Sequence, residues 1–365
     1  MKKSEKRAAV VVRSTGEDAY FAASNSARGF QSYYSACFDG ARIGRLYAVK
    51  GGPGTGKSRF LREVAKEGEK RGWHPELIYC SSDPDSLDGV VLTKPGEEGI
   101  ALIDATAPHV YEPNRPGYRE ELINLGSFWN GELLRAKATE ISEWNRRKQS
   151  AYRMAYRYLA AYGEMTATRD ELVEPYLRKK AILSFAEKWM RQIPEGDGFE
   201  AQIALARSVG MRGAVTLDTY YAAAKTAYYI EDCRGSAAVF LGALYEIAKR
   251  KNLPVRVSYD PLLPDRIDGL LLKSTGVAFL AFEGGKGEKH RKISMRRFVE
   301  TGEMHAGRKE INFAEQMRRS MLRGAVECLS RVSEAHFAIE EIYIRAMDFG
   351  AKETFTRSFC ASLFK

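Results

Sequence analysis

The sequence predicts an α/β protein made of two similar sheet units, each followed by a long helical arm. Three observations support this prediction. The chain aligns with itself without a gap when Phe60 is placed on Phe240. In each copy, short apolar segments bounded by Gly, Pro or Asp alternate with helical segments, which is typical of βαβ units and a parallel sheet. After each copy, apolar residues recur at spacings of three and four, which marks one face of a helix.

The internal repeat is strongest between residues 60–92 and residues 240–272, where eight of the 33 aligned positions are identical. About two identities would be expected by chance from average amino-acid usage. The identities include the pairs Tyr79/Tyr259, Pro84/Pro264, Asp85/Asp265, Asp88/Asp268 and Gly89/Gly269. The repeat therefore predicts two copies of one supersecondary unit.

The first copy divides into a regular series of predicted elements. The apolar run Leu46–Val49 is predicted as a strand because it leads into a glycine-rich turn. A helix is predicted over Lys57–Lys70, followed by strands at Glu76–Tyr79, Val90–Leu92 and Ile100–Ile103. The last of these is bounded by Gly99 and Asp104, as expected for a buried strand.

The second copy repeats this series. The predicted elements are the strand Ala227–Ile230, the helix Val239–Lys249 and the strands Val255–Ser258, Leu270–Leu272 and Val277–Phe282.

Two helical arms are predicted, over about residues 119–192 and 295–360, from apolar spacings of three and four. Residues 193–198 read Ile-Pro-Glu-Gly-Asp-Gly, which is typical of a linker. The sequence thus predicts one domain over residues 1–195 and a second over residues 196–365.

The composition is that of a globular protein, with 44% hydrophobic and 28% charged residues among 365. No stretch approaches the roughly 18 apolar residues of a membrane span, and the charged N-terminus lacks the apolar segment of a signal peptide. We therefore expect a cytoplasmic protein with no membrane partner. Lys and Arg exceed Asp and Glu by 57 to 47, which favours anionic ligands. The five scattered cysteines and His290, His305 and His336 lack metal-ligand spacing, so these histidines are interpreted as surface or core residues.

Residues 51–58 match the phosphate-binding P-loop motif G-x-x-x-x-G-K-[ST], also called Walker A, at every fixed position. Glycines let the backbone turn so that several N–H groups point at phosphate oxygens, and the following helix directs its positive end at the same anion. Lys57 is expected to reach the β- and γ-phosphates, and Ser58 to bind Mg²⁺. The predicted nucleotide-binding residues are Gly51, Gly52, Pro53, Gly54, Thr55, Gly56, Lys57 and Ser58.

Asp104 follows a predicted buried strand and is expected to be the second protein ligand of Mg²⁺. The next residue is Ala105, where many ATPases carry a catalytic Glu, so the group that activates water must come from elsewhere. His109 is the predicted catalytic candidate for contact with phosphate or water, beside Lys57 and Asp104. Asp83 and Asp88 are alternatives, although Asp88 recurs in the second copy and is expected to have a structural role in a turn.

The corresponding loop of the second copy is degenerate. Lys57 and Ser58 fall on Ala237 and Ala238, and Glu231-Asp232 places two carboxylates where phosphates would lie. The strand-end acid is also displaced, since Gly284 stands at the position of Asp104 and Glu283 precedes it. We therefore expect the second repeat to be an inactive, pseudo-NTPase copy.

These motifs resemble those of a little-characterised bacterial family of tandem P-loop NTPases with two P-loop repeats. The segments that carry the resemblance are 51–58, 79–88, 104–109, 122–129 and 335–349. The resemblance implies ATP binding and Mg-dependent ATP hydrolysis at the first site. Members of the family are expected to have two intact loops, and the degenerate second loop departs from that pattern.

Three alternative functions remain open at this stage. A small-molecule or nucleotide kinase would use the same loop, and an ATP-gated binding protein would need no catalytic acid. A nucleic-acid-stimulated motor is the third, because basic and aromatic residues alternate in the first arm. We interpret that arm, including Arg146, Arg147, Tyr152 and Arg153, as a solvated helix whose tyrosines pack against a partner helix, so nucleic acid is not the favoured ligand.

Overall fold

The computed structural model describes residues 11–13, 15–16, 18–38, 42–109, 111–283, 290–305 and 307–364. The strands in these parts of the chain are β1 (Val11–Arg13), β2 (Ala19–Phe21), β3 (Ala23–Ser26), β4 (Gly29–Ser32), β5 (Ile43–Lys50), β6 (His74–Tyr79), β7 (Leu87–Thr93), β8 (Gly99–Asp104), β9 (Glu120–Asn124), β10 (Ala201–Ile203), β11 (Arg207–Gly210), β12 (Gly213–Leu217), β13 (Thr226–Glu231), β14 (Val255–Tyr259), β15 (Ile267–Leu272), β16 (Val277–Leu280) and β17 (His290–Ser294). The helices are α1 (Tyr34–Phe38), α2 (Lys57–Lys70), α3 (Gly131–Ala136), α4 (Ala138–Val173), α5 (Lys179–Met190), α6 (Thr219–Ala223), α7 (Ser236–Arg250), α8 (Arg308–Ala346) and α9 (Phe349–Leu363).

The chain is α/β, with two six-stranded mixed sheets, and its contacts divide it into two compact units. The P-loop unit comprises the described residues of 32–154, 210–212 and 328–365. The second-copy unit comprises those of 1–31, 155–209 and 213–327. This division differs from the predicted domains 1–195 and 196–365.

Five strands of the P-loop unit lie side by side in the order β6–β7–β8–β5–β9. β5 is parallel to both β8 and β9. β7 runs antiparallel to β6 and β8, so the predicted all-parallel sheet is wrong for this strand. The reason is the length of the connections, because residues 80–86 and 94–98 are too few for the crossover that parallel neighbours require.

The second-copy unit has the sheet order β10–β14–β15–β16–β13–β17. β13 is parallel to β16 and β17, and β15 is antiparallel to β14 and β16. The last five strands therefore match those of the P-loop unit in both order and direction. The internal repeat predicted from the sequence is confirmed at the level of the sheet.

Each sheet is covered by the helix that follows its glycine turn and by a second helix from the other half of the chain. In the P-loop unit, Phe60 of α2 lies against Phe359 of α9, with ring centroids 5.4 Å apart. In the second-copy unit, Phe240 of α7 stacks on Phe185 of α5 at 5.3 Å. Burying an aromatic or aliphatic side chain of this size contributes roughly 1.5–3 kcal/mol. The two helical arms thus each contribute their last helix to the core of the unit that contains the other copy.

The predicted arms contain the long helices α4, of 36 residues, and α8, of 39 residues. They also contain parts that are not arm-like, since β9 and 3₁₀ turns at Leu125–Phe128 and Glu174–Tyr176 lie within predicted residues 119–192. A matching 3₁₀ turn at Met295–Phe298 follows β17. None of the helices in the described parts of the chain combines the length and the apolar character of a membrane span.

Candidate functional site

The glycine-rich loop lies between strand β5 and helix α2 of the P-loop unit, as the sequence predicted. Gly54 and Gly56 adopt left-handed backbone conformations, with φ of 74° and 77°. Side chains with a Cβ rarely adopt this conformation, so glycine is needed at both positions. Gly56 precedes the first residue of α2 and has no side chain with which to cap the helix. The first N–H groups of α2 therefore point toward the loop.

Lys57 folds back over the loop. Its Nζ donates hydrogen bonds to the carbonyl oxygens of Gly51, at 2.8 Å, and Gly52, at 3.0 Å. The same Nζ lies 3.6 Å from Oδ2 of Asp104. Because β5 and β8 are parallel neighbours with Val49 opposite Asp104, the strand-end acid meets the loop lysine at one edge of the sheet. The loop lysine and the strand-end acid thus lie together at the edge of the sheet.

Asp104 is held in a largely desolvated position. Burial raises the pKa of its carboxyl group, Lys57 lowers it, and Asp88 raises it. The backbone N–H of Thr106 donates to Asp104 Oδ1 at 2.9 Å, and the Thr106 hydroxyl donates to the carbonyl oxygen of Gly51 at 3.0 Å. Thr106 thus ties the acid-bearing loop to the glycine-rich loop, a role that the sequence did not reveal.

The hydroxyls of the loop have different partners. Thr55 is buried, and its hydroxyl donates to the carbonyl oxygen of Gly52 at 2.8 Å, which closes the turn around Pro53. Ser58 Oγ accepts a hydrogen bond from the backbone N–H of Leu87 at 2.9 Å. An oxygen in this arrangement retains a further lone pair. Ser58 and Asp104 therefore supply two oxygen ligands of the kind that suits Mg²⁺, which otherwise keeps waters and takes phosphate oxygens.

His109 is buried beside the acid-bearing strand. Its Nε2 lies 3.0 Å from Oδ2 of Asp88, and its ring stacks on Tyr34 with centroids 4.5 Å apart. Asp88 is part of strand β7, so its expected position in a turn is wrong. Burial, followed by the nearby charges of Asp88 and Asp104, raises the pKa of Tyr34 well above its usual value. Tyr34, Asp88, Asp104 and His109 thus form one buried polar cluster.

The counterpart of Asp88 in the second-copy unit is Asp268, which is also buried. Its Oδ2 accepts a hydrogen bond from Nε of Arg207 at 2.7 Å. In both copies this strand position holds a buried carboxylate paired with a nitrogen-containing side chain, which is His109 in one copy and Arg207 in the other. The pairing supports a structural contribution of Asp88, as the repeat suggested.

The alternative acid Asp83 lies in the loop between β6 and β7. Its Oδ2 accepts a hydrogen bond from the Ser86 hydroxyl at 3.0 Å. Arg212 lies beside the same loop, with Nε 3.7 Å from Asp83 Oδ1 and Nη2 2.9 Å from Asp85 Oδ2. Arg212 therefore provides a cation next to Asp83 that sequence reasoning missed.

One face of α8 lies against the glycine-rich loop, which sequence reasoning also missed. A Cβ added at Gly54 would lie 2.7 Å from the carbonyl oxygen of Glu340, and one added at Gly52 would lie 3.0 Å from the ring of Tyr343. Glu340 is half-buried, and burial first, then the nearby Asp83, raises its pKa against the opposing effects of Lys57 and Lys148.

His336 lies one helical turn before Glu340 on the same face of α8. Its Nδ1 is 3.3 Å from Nζ of Lys148 on α4. Burial, with Lys148 second, lowers the pKa of His336 to about 4. The spacing of residues 336, 340 and 343 is the signal that could have identified this face, since residues three and four apart share one side of a helix.

The degenerate loop of the second-copy unit carries its own anion. Asp232 Oδ2 accepts from the backbone N–H of Gly235 at 3.0 Å, and Oδ1 accepts from that of Ala237 at 2.9 Å. A carboxylate thus caps the start of α7, where the P-loop unit has open N–H groups. Glu231 points elsewhere and pairs with Lys292 at 2.5 Å. Glu283 is exposed, and Gly284 lies outside the described residues.

The fold and this site define an α/β protein with a strand, a glycine-rich loop and a helix arranged around a lysine and a strand-end aspartate. Comparisons with protein-family models, with curated proteins and with solved structures find no match.

Proposed function

We propose that the chain is an ATP-binding protein of the P-loop NTPase type that hydrolyses ATP at the P-loop unit. The observation that carries this proposal is the meeting of Lys57 and Asp104 at the mouth of a glycine-rich loop that opens helix α2. We propose that it belongs to the tandem P-loop NTPase family that its sequence resembles, and that its second loop, unlike the two intact loops expected of that family, is inactive.

The proposed binding mode follows from the groups in the loop. The backbone N–H groups of residues 51–58 would hold the phosphates, and Lys57 would exchange its two carbonyl partners for β- and γ-phosphate oxygens. Mg²⁺ would be held by Ser58 and Asp104 and would neutralise charge on the phosphates. Burial raises the pKa of the Asp104 carboxyl group, and the nearby Lys57 opposes that shift.

Water activation requires a base, and Ala105 supplies none. His109 is the base predicted from the sequence, and its ring is held by Asp88 and Tyr34. Glu340 is a further candidate base, which is supported by the position of its backbone carbonyl against Gly54 and by a raised pKa that increases the basicity of its carboxylate. We propose that Glu340 acts on the attacking water and that His109 keeps the acid-bearing loop in place and contacts phosphate or water.

We propose that the second copy has no phosphate site. The Asp232 carboxylate already accepts the N–H groups that a phosphate would need, and Ala237 replaces the lysine. A phosphate brought there would meet a negative charge, and the two arginines beside Gly235, Arg169 and Arg266, are already paired with Asp170.

A second candidate function is ATP-gated binding with little turnover. The observation that favours it is the absence of an acid at Ala105 together with the cover that Glu340 and Tyr343 place over the loop. A helix in this position could respond to a bound phosphate without any chemistry.

A phosphate-release assay on the purified chain distinguishes these proposals. Hydrolysis predicts release from MgATP that stops when EDTA removes the metal and that is lost in Asp104→Asn. Gated binding predicts tight MgATP binding by calorimetry with no release in either protein. Failure of MgATP to bind at all at millimolar concentration would contradict both.

A further inference from the structure

A basic groove lies on the second-copy unit, away from its degenerate loop. It has a volume of about 900 Å³ and is open to solvent along edge strand β17. Its cations come from that strand and from the 3₁₀ turn after it, and its rings come from α5 and β13. The residues that form it are Arg291, Lys292, Arg296, Arg297, Phe185, Trp189 and Tyr228.

The cations and rings of the groove are interleaved. The guanidinium of Arg297 lies 4.4 Å from the centre of the Phe185 ring, and that of Arg291 lies 6.0 Å from the centre of the Tyr228 ring. Trp189 packs edge to face on Tyr228, with centroids 4.7 Å apart. Both Arg291 and Arg297 are exposed, so their charges remain available while the rings fix their positions.

Most of this positive charge is not neutralised within the unit. Lys292 pairs with Glu231. Across the parts of the chain that the structure describes, no carboxylate lies within ion-pair distance of Arg291, Arg296 or Arg297. Arg291 donates a hydrogen bond to the Tyr228 hydroxyl at 3.5 Å, and the three arginines together have further N–H groups with which to bind an anion.

The P-loop unit shows that the fold does not require this charge. Tyr228 packs against Trp189 and is paired in the sheet with Arg291. Tyr47 packs against Phe359 in the same way and is paired with Glu121, so the two tyrosines correspond in the structure, although the gapless self-alignment places Tyr47 on Ala227. By the same register, Lys292 corresponds to Leu122. Within the turns that follow, Arg296 and Arg297 correspond to Gly126 and Ser127.

The two copies thus differ at all four positions in the same direction. The P-loop unit has one acid and no cation there, and the second-copy unit has four cations. The rings beneath the groove are aromatic in both copies, since Phe355 and Phe359 of α9 take the places of Phe185 and Trp189. The charge is therefore specific to the copy whose phosphate loop is degenerate.

We propose that this groove binds single-stranded nucleic acid. Exposed cations on an edge strand and on the turn that follows it suit a phosphate backbone, and the half-buried faces of Trp189 and Tyr228 suit stacking with unpaired bases. An open groove of this kind accommodates a strand that enters and leaves, unlike an enclosed mononucleotide pocket. The proposal does not depend on hydrolysis at the P-loop unit.

Fluorescence anisotropy with a labelled single-stranded DNA of about 15 nucleotides, a length that suits such grooves, tests this proposal on the full-length chain. The test variant is Arg291→Gln/Arg296→Gln/Arg297→Gln. The matched control is Arg146→Gln/Arg147→Gln/Arg153→Gln, which removes the same net charge from exposed positions on α4. Circular dichroism melting of both variants shows whether each remains folded.

We expect the wild-type chain to bind the strand with an affinity that falls steeply between about 50 and 200 mM salt. The slope of log K against log salt is negative, and each phosphate contact contributes roughly 0.7 to its magnitude for single strands. Loss of three contacts should therefore reduce that magnitude by about 2. The groove variant should show this loss and the α4 control should not. A second variant, Trp189→Leu, should weaken binding without changing the salt slope, which separates stacking from charge.

Three results would overturn the proposal. The first is an equal loss of binding affinity in the groove variant and the α4 control, and the second is no binding by the wild-type chain at low salt. The third is that heparin or duplex DNA, at equal phosphate concentration, displaces the labelled strand as readily as an unlabelled single strand does. The last result would indicate a general polyanion surface without base stacking.

Discussion

Replacement of Lys57 by alanine tests the proposed phosphate site at its centre. In the free protein, Lys57 makes two hydrogen bonds to loop carbonyls and lies 3.6 Å from Asp104. In the proposed complex, the two bonds go to phosphate oxygens. A hydrogen bond to a charged group contributes about 1.5–3 kcal/mol, so the two together account for about 3–6 kcal/mol.

At about 1.4 kcal/mol for each tenfold change in affinity, Lys57→Ala should weaken MgATP binding by at least about 100-fold. Isothermal titration calorimetry with the purified chain measures this change. Lys66→Ala is the matched control, because Lys66 is exposed on the same helix and its substitution removes the same charge. A Lys57→Ala protein that binds MgATP with the wild-type affinity would refute the reasoning.

Three further predictions concern the polar groups around the loop. Asp104→Asn should abolish phosphate release but raise the melting temperature at neutral pH, because burial raises the pKa of the carboxyl group and disfavours its charged form. The gain in melting temperature should shrink as the pH falls through that raised pKa toward the pKa of the unfolded chain. A gain that persists in acid would contradict this cause. Glu340→Gln should lower the rate of phosphate release with little change in MgATP affinity. Glu341→Gln, on the exposed side of α8, is the control and should change neither quantity. Equal rates of phosphate release in the two variants would exclude Glu340 as the base. Folded His336 has a pKa of about 4, against about 6.5 in the unfolded chain, so the unfolded chain binds more protons between these values. The free energy of unfolding should therefore decrease as the pH is lowered from about 6.5 to about 4, by up to about 3 kcal/mol. Urea titrations across this range should show a smaller decrease in His336→Asn than in the wild type, and parallel curves would argue against His336.

The local parts of the fold and site could be predicted from the sequence because local chemistry determines them. The motif of residues 51–58 specifies a turn with left-handed glycines, and the structure has these at Gly54 and Gly56. The apolar run that ends at Asp104 specifies a buried strand beside it, and the parallel pairing of β5 with β8 then brings Asp104 to Lys57. The self-alignment likewise predicted two sheets of one design.

The reversed direction of β7 was also available from the sequence. The short connections 80–86 and 94–98 exclude a crossover, and an all-parallel sheet could have been rejected on that ground.

The exchange of the last helices between the units was not available in this way. Phe355 and Phe359 of α9 present the same apolar pattern as Phe185 and Trp189 of α5, so either helix could cover either sheet by pattern alone. Which one does so depends on the path that α4 and α8 take. The same path decides that Glu340 lies at the loop, and although residues 335–349 carry part of the family resemblance, nothing in that segment indicates this contact.

The central claim is that the chain has one phosphate site and that it lies in the P-loop unit. Calorimetric titration of the wild-type chain and of Asp232→Ala with MgATP tests this claim most directly, through the number of sites per chain. We predict one site per chain in both proteins, with unchanged affinity. Two sites per chain in the wild type, or loss of binding in Asp232→Ala, would contradict it.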